Sequence, residues 1–125
     1  MKPGDVANMK RIEINIPGKG KVTIDLDARN PQISQELYQM LPIEARANLW
    51  GEEVYFEIPL KASDENVSPS AVKGDVSYWS PGCALCIFFG ETQPYSPVNH
   101  LGRIAQGIEI LRNVNAGDRI VLNRI

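Results

Sequence analysis

Few residues in this chain carry reactive side chains. Two cysteines form one C-x-x-C, Cys83-Ala84-Leu85-Cys86, and His100 is the only histidine. A C-x-x-C at a helix N-terminus makes a redox pair with a lowered thiol pKa. With two further ligands it makes a zinc site. Here the motif leads into an apolar run, Cys83 to Phe89, which is short for a helix and closes at Gly90. Such a run reads as a strand buried on both faces. Residues i and i+3 of a strand point to opposite faces and lie ~10 Å apart, too far for a disulfide. His100 cannot complete a tetrahedral zinc set without carboxylates. Two packed, reduced thiols are therefore expected, with no metal and no cofactor.

The remaining candidates are binding residues. Arg103 carries a planar fork that suits two acceptors, either a ligand or the carboxylate of Asp75. Trp79 stands before a Pro/Gly turn and can serve as an aromatic platform. With Asn99, these two are expected to border a cleft near the polar loop Lys61–Lys73. Strand alternation puts His100 on the side of Val98, away from Arg103. There is no Ser-His-Asp spacing, P-loop, G-x-G-x-x-G or H-E-x-x-H.

These residues need a frame, and the apolar pattern supplies one. Ile12, Ile14 and Ile16 alternate with Arg11, Glu13 and Asn15; Val22, Ile24 and Leu26 repeat the pattern after Pro17-Gly18-Lys19-Gly20. This predicts a β-hairpin with one wet face. Asn30-Pro31 opens a helix, Ile33, Leu37, Met40 and Leu41 share its face, and Pro42 stops it. That helix is expected to plug one end of a barrel. Ile43 to Trp50 alternates as one strand, with Ala45 and Ala47 inward and small enough for close approach by another element. Gly51-Glu52-Glu53 is a turn, and Val54, Phe56 and Ile58 face inward from the next strand.

Lys61 to Lys73 is a polar loop of about thirteen residues, longer than a usual connection. Strands follow at Val76–Trp79, Cys83–Phe89 and Val98–Ala105, separated by Ser80-Pro81-Gly82 and a turn cluster at Gly90–Pro97. Gly107 to Val114 suits a short helix offering Ile108, Ile110 and Leu111, and Arg119 to Arg124 a last strand. The expected fold is mainly β: a closed, mostly antiparallel barrel of eight strands with two short capping helices. Ile12, Ile14, Ile24, Leu26, Ala47, Phe56, Ile87 and Ile104 are its expected core.

The chain has 125 residues and a formal net charge of −2. That length fits one domain, 1–125, with Met1–Ala7 as a loose leader. The charge and the lack of a basic stripe argue against nucleic acid. No apolar run is long enough to span a bilayer, and the N-terminus lacks the apolar core of a signal peptide. A cytoplasmic protein is expected, and the Asn66-Val67-Ser68 sequon is then a chance match.

The segment GDVSYWSPGCALCIFFG, followed by SPVNHLGRI, resembles the signature of a cyclophilin-like family of small, mostly uncharacterised bacterial and archaeal proteins. The matching positions are Gly74, Asp75, Tyr78, Trp79, Pro81, Gly82, Phe88, Phe89, Gly90, Ser96, Pro97, Val98, Asn99, Gly102, Arg103 and Ile104. The resemblance implies an eight-stranded cyclophilin-fold barrel and no set reaction. Prolyl isomerases of that fold carry an F-x-R and an F-M-x-Q motif. In this chain Arg46 and Phe56 are the only counterparts, and no F-M-x-Q exists.

Three functions follow as expectations. The first is a protein that binds a small molecule or short peptide in a barrel-side cleft, without efficient catalysis. The second is a weak peptidyl-prolyl cis-trans isomerase using Arg46 and Phe56. The third is a protein-interaction module anchored by exposed Trp50, Tyr55 and Tyr95.

Overall fold

The computed structural model describes residues 10–125, so the expected leader Met1–Ala7 lies outside the described residues. The opening hairpin forms as the alternation demands. Strands β1 (Arg11–Ile16) and β2 (Gly20–Leu26) pair antiparallel from Arg11↔Asp25 to Ile16↔Gly20. Ile12, Ile14, Ile16, Val22, Ile24 and Leu26 are all buried. Each fully buried isoleucine contributes roughly 1.5–3 kcal/mol over an exposed one.

Helix α1 (Pro31–Met40) follows, with Ile33, Leu37 and Leu41 in the same core. Asn30 precedes it but makes no side-chain cap. Its Nδ2 donates to the His100 carbonyl (2.8 Å), and its Oδ1 accepts from the Asn66 amide (2.6 Å). The free amides of Gln32 and Ile33 donate instead to the Glu65 carboxylate, at 3.2 and 3.1 Å. The cap therefore comes from the long loop, thirty-odd residues away in sequence, where a carboxylate suits the orphan N–H groups and the helix dipole.

The expected strand Ile43–Trp50 divides in two. Strand β3 (Ile43–Arg46) pairs with the last strand, whereas β4 (Asn48–Trp50) pairs with β5 (Glu53–Glu57). Ala47 is the joint. Its amide donates to the Asp118 carbonyl (2.9 Å) and its carbonyl accepts from Gly117 (2.8 Å). The close approach that two small alanines suggested is thus real at Ala47, which is buried, while Ala45 is only half-buried.

The later strands are β6 (Val67–Ser68), β7 (Asp75–Trp79), β8 (Ala84–Phe88), β9 (Val98–Gln106) and β10 (Arg119–Arg124). A 3₁₀ turn, Ser80–Gly82, joins β7 to β8. The second expected helix is a 3₁₀ helix, Ile108–Asn113, which buries Leu111. All strands belong to one antiparallel sheet, ordered β3-β10-β1-β2-β9-β7-β8-β5-β4, with β6 pairing on β9 off this path. β3 and β4 are the two ends of that order and one continuous stretch of chain. They bring the sheet round into a nearly closed barrel of ten assigned strands. Counting β3–β4 once and setting aside two-residue β6 recovers the eight expected.

Seven of the eight expected core residues are buried; Ile104 is half-buried and packs against the core. Every residue of β8 is buried. Leu85 and Ile87 face the barrel interior, whereas Cys86 and Phe88 face outward under Ala71 of the long loop. That cover explains why a strand at the wall of the barrel reads as a continuous apolar run.

An aromatic cleft on the outer wall

The outward face of β4, β5, β8 and β7 carries the chemistry. Trp50 and Glu53 are partners across the β4–β5 hairpin, Tyr55 lies two residues beyond Glu53, and Tyr55 is opposite Cys86. Gly51, at φ +58°, makes the tight turn between Trp50 and Glu53. The loop 91–97 arches over this face. Its Thr92 hydroxyl accepts from the Glu52 amide (2.7 Å), and its Ser96 hydroxyl accepts from the Trp79 indole (2.7 Å). The Gln93 amide group exchanges hydrogen bonds with the backbone of Ala71 (3.0 and 2.9 Å), tying the arch to the long loop.

Between wall and arch lies a cleft of about 360 Å³ lined by Trp50, Glu53, Tyr55, Trp79, Cys86, Pro94, Tyr95 and Val98. This is a volume at the lower end of small-ligand pockets. Tyr95 packs edge-on to both indoles, with centroid distances of 6.1 Å to Trp50 and 6.2 Å to Trp79. The two outer rings are open, Trp50 52 % exposed and Tyr95 73 %, and Trp79 is half-buried.

One polar group stands apart in this setting. Glu53 is only 5 % exposed. Burial pushes its carboxyl above the usual carboxylate range, and the hydrogen bond from the Cys86 thiol only partly offsets that. No cation among the described residues pairs with it. The Cys86 thiol is pushed far up in turn, by burial first and by Glu53 second. A thiol so placed is not a nucleophile. Both cysteines are free, and Cys83 sits ahead of β8 with φ 49°. Among the described residues no group of three or more His, Cys, Asp and Glu could hold a metal.

The three expected binding residues are not brought together. Trp79 lines the cleft; Asn99 and Arg103 do not. Asn99 is fully buried. Its Oδ1 accepts from the Glu65 amide (2.8 Å) and its Nδ2 donates to Asp64 (3.0 Å) and the Tyr78 carbonyl (3.2 Å). The Asn99 donation holds the Asp64 carboxyl below its usual range, with Ser80 assisting. Tyr78 anchors the same loop nearby, donating to the Leu60 carbonyl and accepting from the Ala62 amide. Arg103 spans Asp75 Oδ1 (2.8 Å) and the Lys73 carbonyl (2.9 Å).

Arg46 and Phe56 are likewise apart. Phe56 is wholly inside the barrel, and exposed Arg46 donates to the Gly117 carbonyl (3.3 Å) at the β3–β10 seam.

His100 departs from the alternation. The β7–β9 register runs Asp75↔Arg103, Val76↔Gly102, then Ser77↔His100, so Leu101 is an inserted residue. A bulge of this kind moves every side chain beyond it to the other face. His100 and Arg103 therefore both approach Asp75, with His100 Nδ1 3.9 Å from Oδ2. Ser77, His100 and Asp75 come together, although no sequence spacing signals it. They do not form a hydrolytic triad. His100 Nε2 meets the Ser70 carbonyl (2.8 Å), an acceptor, so in the neutral ring Nδ1 accepts from the Ser77 hydroxyl (2.7 Å). Asp75 and Ser77 thus share one ring nitrogen rather than bracketing the imidazole. Ser77 is fully buried, and the cluster fastens the long loop to the wall.

Comparison with known proteins agrees with this architecture. The cyclophilin-like family model matches residues 10–123. The chain belongs to the cyclophilin-like family. The hypothetical protein AF2241 from Archaeoglobus fulgidus, solved in solution, is 32 % identical; the match covers 94 % of this chain and 95 % of that one, with a TM-score of 0.82. McbB, solved in complex with tryptophan, superposes with a TM-score of 0.78 at 21 % identity, over 90 % of this chain and 44 % of McbB. The comparison with curated proteins found no match. In this family member the signature residues Asp75, Tyr78, Asn99 and Arg103 secure the loop, and of the signature only Trp79 and Val98 reach the cleft.

Glu53 was missed because it falls in a turn by sequence, and its strand was read only through its inward residues. A signal was present: Trp50, Tyr55 and Tyr95 stood out as unburied aromatics, and all three line the cleft.

Proposed function

We propose that this cyclophilin-like protein binds a small molecule in the cleft on its outer wall and does not catalyse a reaction there efficiently. The observation that carries the reading is three aromatic rings lining one cleft, exposed Trp50 and Tyr95 and half-buried Trp79, with Tyr95 edge-on to both indoles. Exposed apolar surface held in fixed geometry costs free energy unless something covers it. A rigid aromatic lining reduces the entropy lost when a flat ligand enters. McbB was solved in complex with tryptophan; at 21 % identity that is a statement about McbB.

Native mass spectrometry of the purified protein tests the reading. A discrete small-molecule adduct, absent from Trp50→Ala and Trp79→Ala, supports it. An adduct unchanged in both variants assigns the ligand elsewhere.

The docking reading uses the same rings, with Trp50, Tyr55 and Tyr95 as anchors for a partner. The buried Glu53 in the lining favours a small ligand, because a flat protein contact leaves that group unreached.

A further inference from the structure

We propose that the cleft takes an organic cation, an ammonium group on a flat apolar body, with the charge against Glu53 and the body among Trp50, Tyr55, Trp79 and Tyr95. This rests on the cleft being a ligand site, and it names the chemistry of that ligand.

Three features converge. Glu53 is 5 % exposed, lines the cleft, and no cation among the described residues pairs with its carboxyl. A buried carboxylate without a cation or several N–H donors is costly. Glu53 therefore makes an open site for positive charge. The surrounding rings serve the same end. Trp and Tyr faces carry negative quadrupole potential and attract cations within ~6 Å of the ring centroid, most strongly where water is excluded. Finally, the lining contains no lysine, arginine or histidine. The groups that titrate around Glu53 are the Cys86 thiol and the Tyr55 and Tyr95 phenols, none of them positive. An anionic ligand would meet a carboxyl and π faces with nothing to compensate.

Binding then exchanges one cation for another. Burial raises the proton affinity of the free carboxyl. An ammonium ligand needs it ionised. The balanced step is Glu53–COOH plus R–NH₃⁺ giving the ion pair plus a released proton. Affinity rises with pH until Glu53 is fully ionised in the free protein, and proton release then vanishes.

Phenethylammonium, phenethyl alcohol and hydrocinnamate share a body and differ in charge, so titrating all three isolates the term. Calorimetry and tryptophan fluorescence give the affinities. The cation should bind at least about tenfold tighter than the alcohol, and hydrocinnamate more weakly than either. Glu53→Gln should bring the cation down to the level of the alcohol; alcohol binding by that variant shows that its cleft is intact. Where Glu53 is still partly protonated, heats in two buffers of different ionisation enthalpy should diverge as a proton is released. Equal affinities for cation and alcohol, or an unchanged cation affinity in Glu53→Gln, overturn the cation assignment. If the alcohol still binds and Trp50→Ala abolishes that binding, the cleft survives as an apolar site. If none of the three binds, the cation assignment falls, and native mass spectrometry decides separately whether the cleft holds anything.

Discussion

Trp50 and Glu53 face each other across the β4–β5 hairpin, so a half-exposed indole and a buried carboxyl line the same cleft. Gly51 and Glu52 form the turn between them, and Thr92 from the arching loop holds the Glu52 amide. A hairpin with this register cannot lose one of the pair's positions without moving the other. The account makes the following predictions.

Trp50→Ala should separate binding from stability. The ring is about half exposed and lies outside the barrel, so the loss should stay under about 1 kcal/mol. Adduct retention should nevertheless fall to background. Thermal melting and native mass spectra of the same preparations check both halves.

Glu53 should make the protein less stable as pH rises. Its folded carboxyl holds its proton more tightly than the unfolded one, whose value is about 4.3. Stability from this group is complete below that value and is lost as pH rises through the raised folded value. Glu53→Gln removes the slope. The variant's melting temperature relative to the parent should therefore climb as pH rises above about 4.3, the unfolded value. A difference that stays flat above that value would show the carboxyl to be well solvated.

Asn99 and Arg103 should behave as fasteners of the long loop. Asn99→Ala removes a buried three-bond hub, leaving the Glu65 amide and the Tyr78 carbonyl without its side chain, and should cost about 1–3 kcal/mol. Hydrogen exchange should accelerate at Asp64 to Val67 and at the α1 N-terminus, which Glu65 caps. Arg103→Ala leaves buried Asp75 with Arg29 at 3.4 Å, so the cost should be about 1–2 kcal/mol, less than for an unpaired buried charge. Ligand binding by the folded fraction of both variants should be unchanged.

How far the sequence exposed all this depends on the range of the interaction. The first hairpin, α1 and β8 follow from local period, because each buries a face defined by its own residues. The break at Ala47 does not. Its cause is that the two halves of one alternating segment find partners at opposite ends of the sheet, β10 and β5. The Leu101 bulge escapes for a similar reason: only the pairing with β7 reveals the extra residue, and it reverses the side assigned to His100. The site was half legible. Trp79 was singled out as a platform and does line the cleft, whereas Asn99 and Arg103 look the same in sequence whether they hold a ligand or a loop. Glu53 is illegible from local pattern because its burial depends on elements distant in sequence, β8 and the rest of the cleft lining.

Prolyl isomerase activity should be absent. Twisting an X–Pro bond faces a barrier of ~18–20 kcal/mol. In prolyl isomerases of this fold, an arginine aimed at the amide beside an apolar pocket lowers it. Arg46 points to the β3–β10 seam and Phe56 fills the barrel interior, so they cannot share a substrate. A proline tetrapeptide assay at micromolar protein should match the uncatalysed rate. A rate enhancement lost in Arg46→Ala would reverse this.

The most direct test uses the fact that the chain has two tryptophans, Trp50 and Trp79, and both line the cleft. Their two indole N–H resonances form a reporter confined to that site. Titration with small aromatic and ammonium compounds should move both resonances together and to saturation, with amides of the β1–β2 hairpin left in place. If ligands found by native mass spectrometry leave both indoles still while shifting other amides, the cleft is not the binding site and the account is wrong.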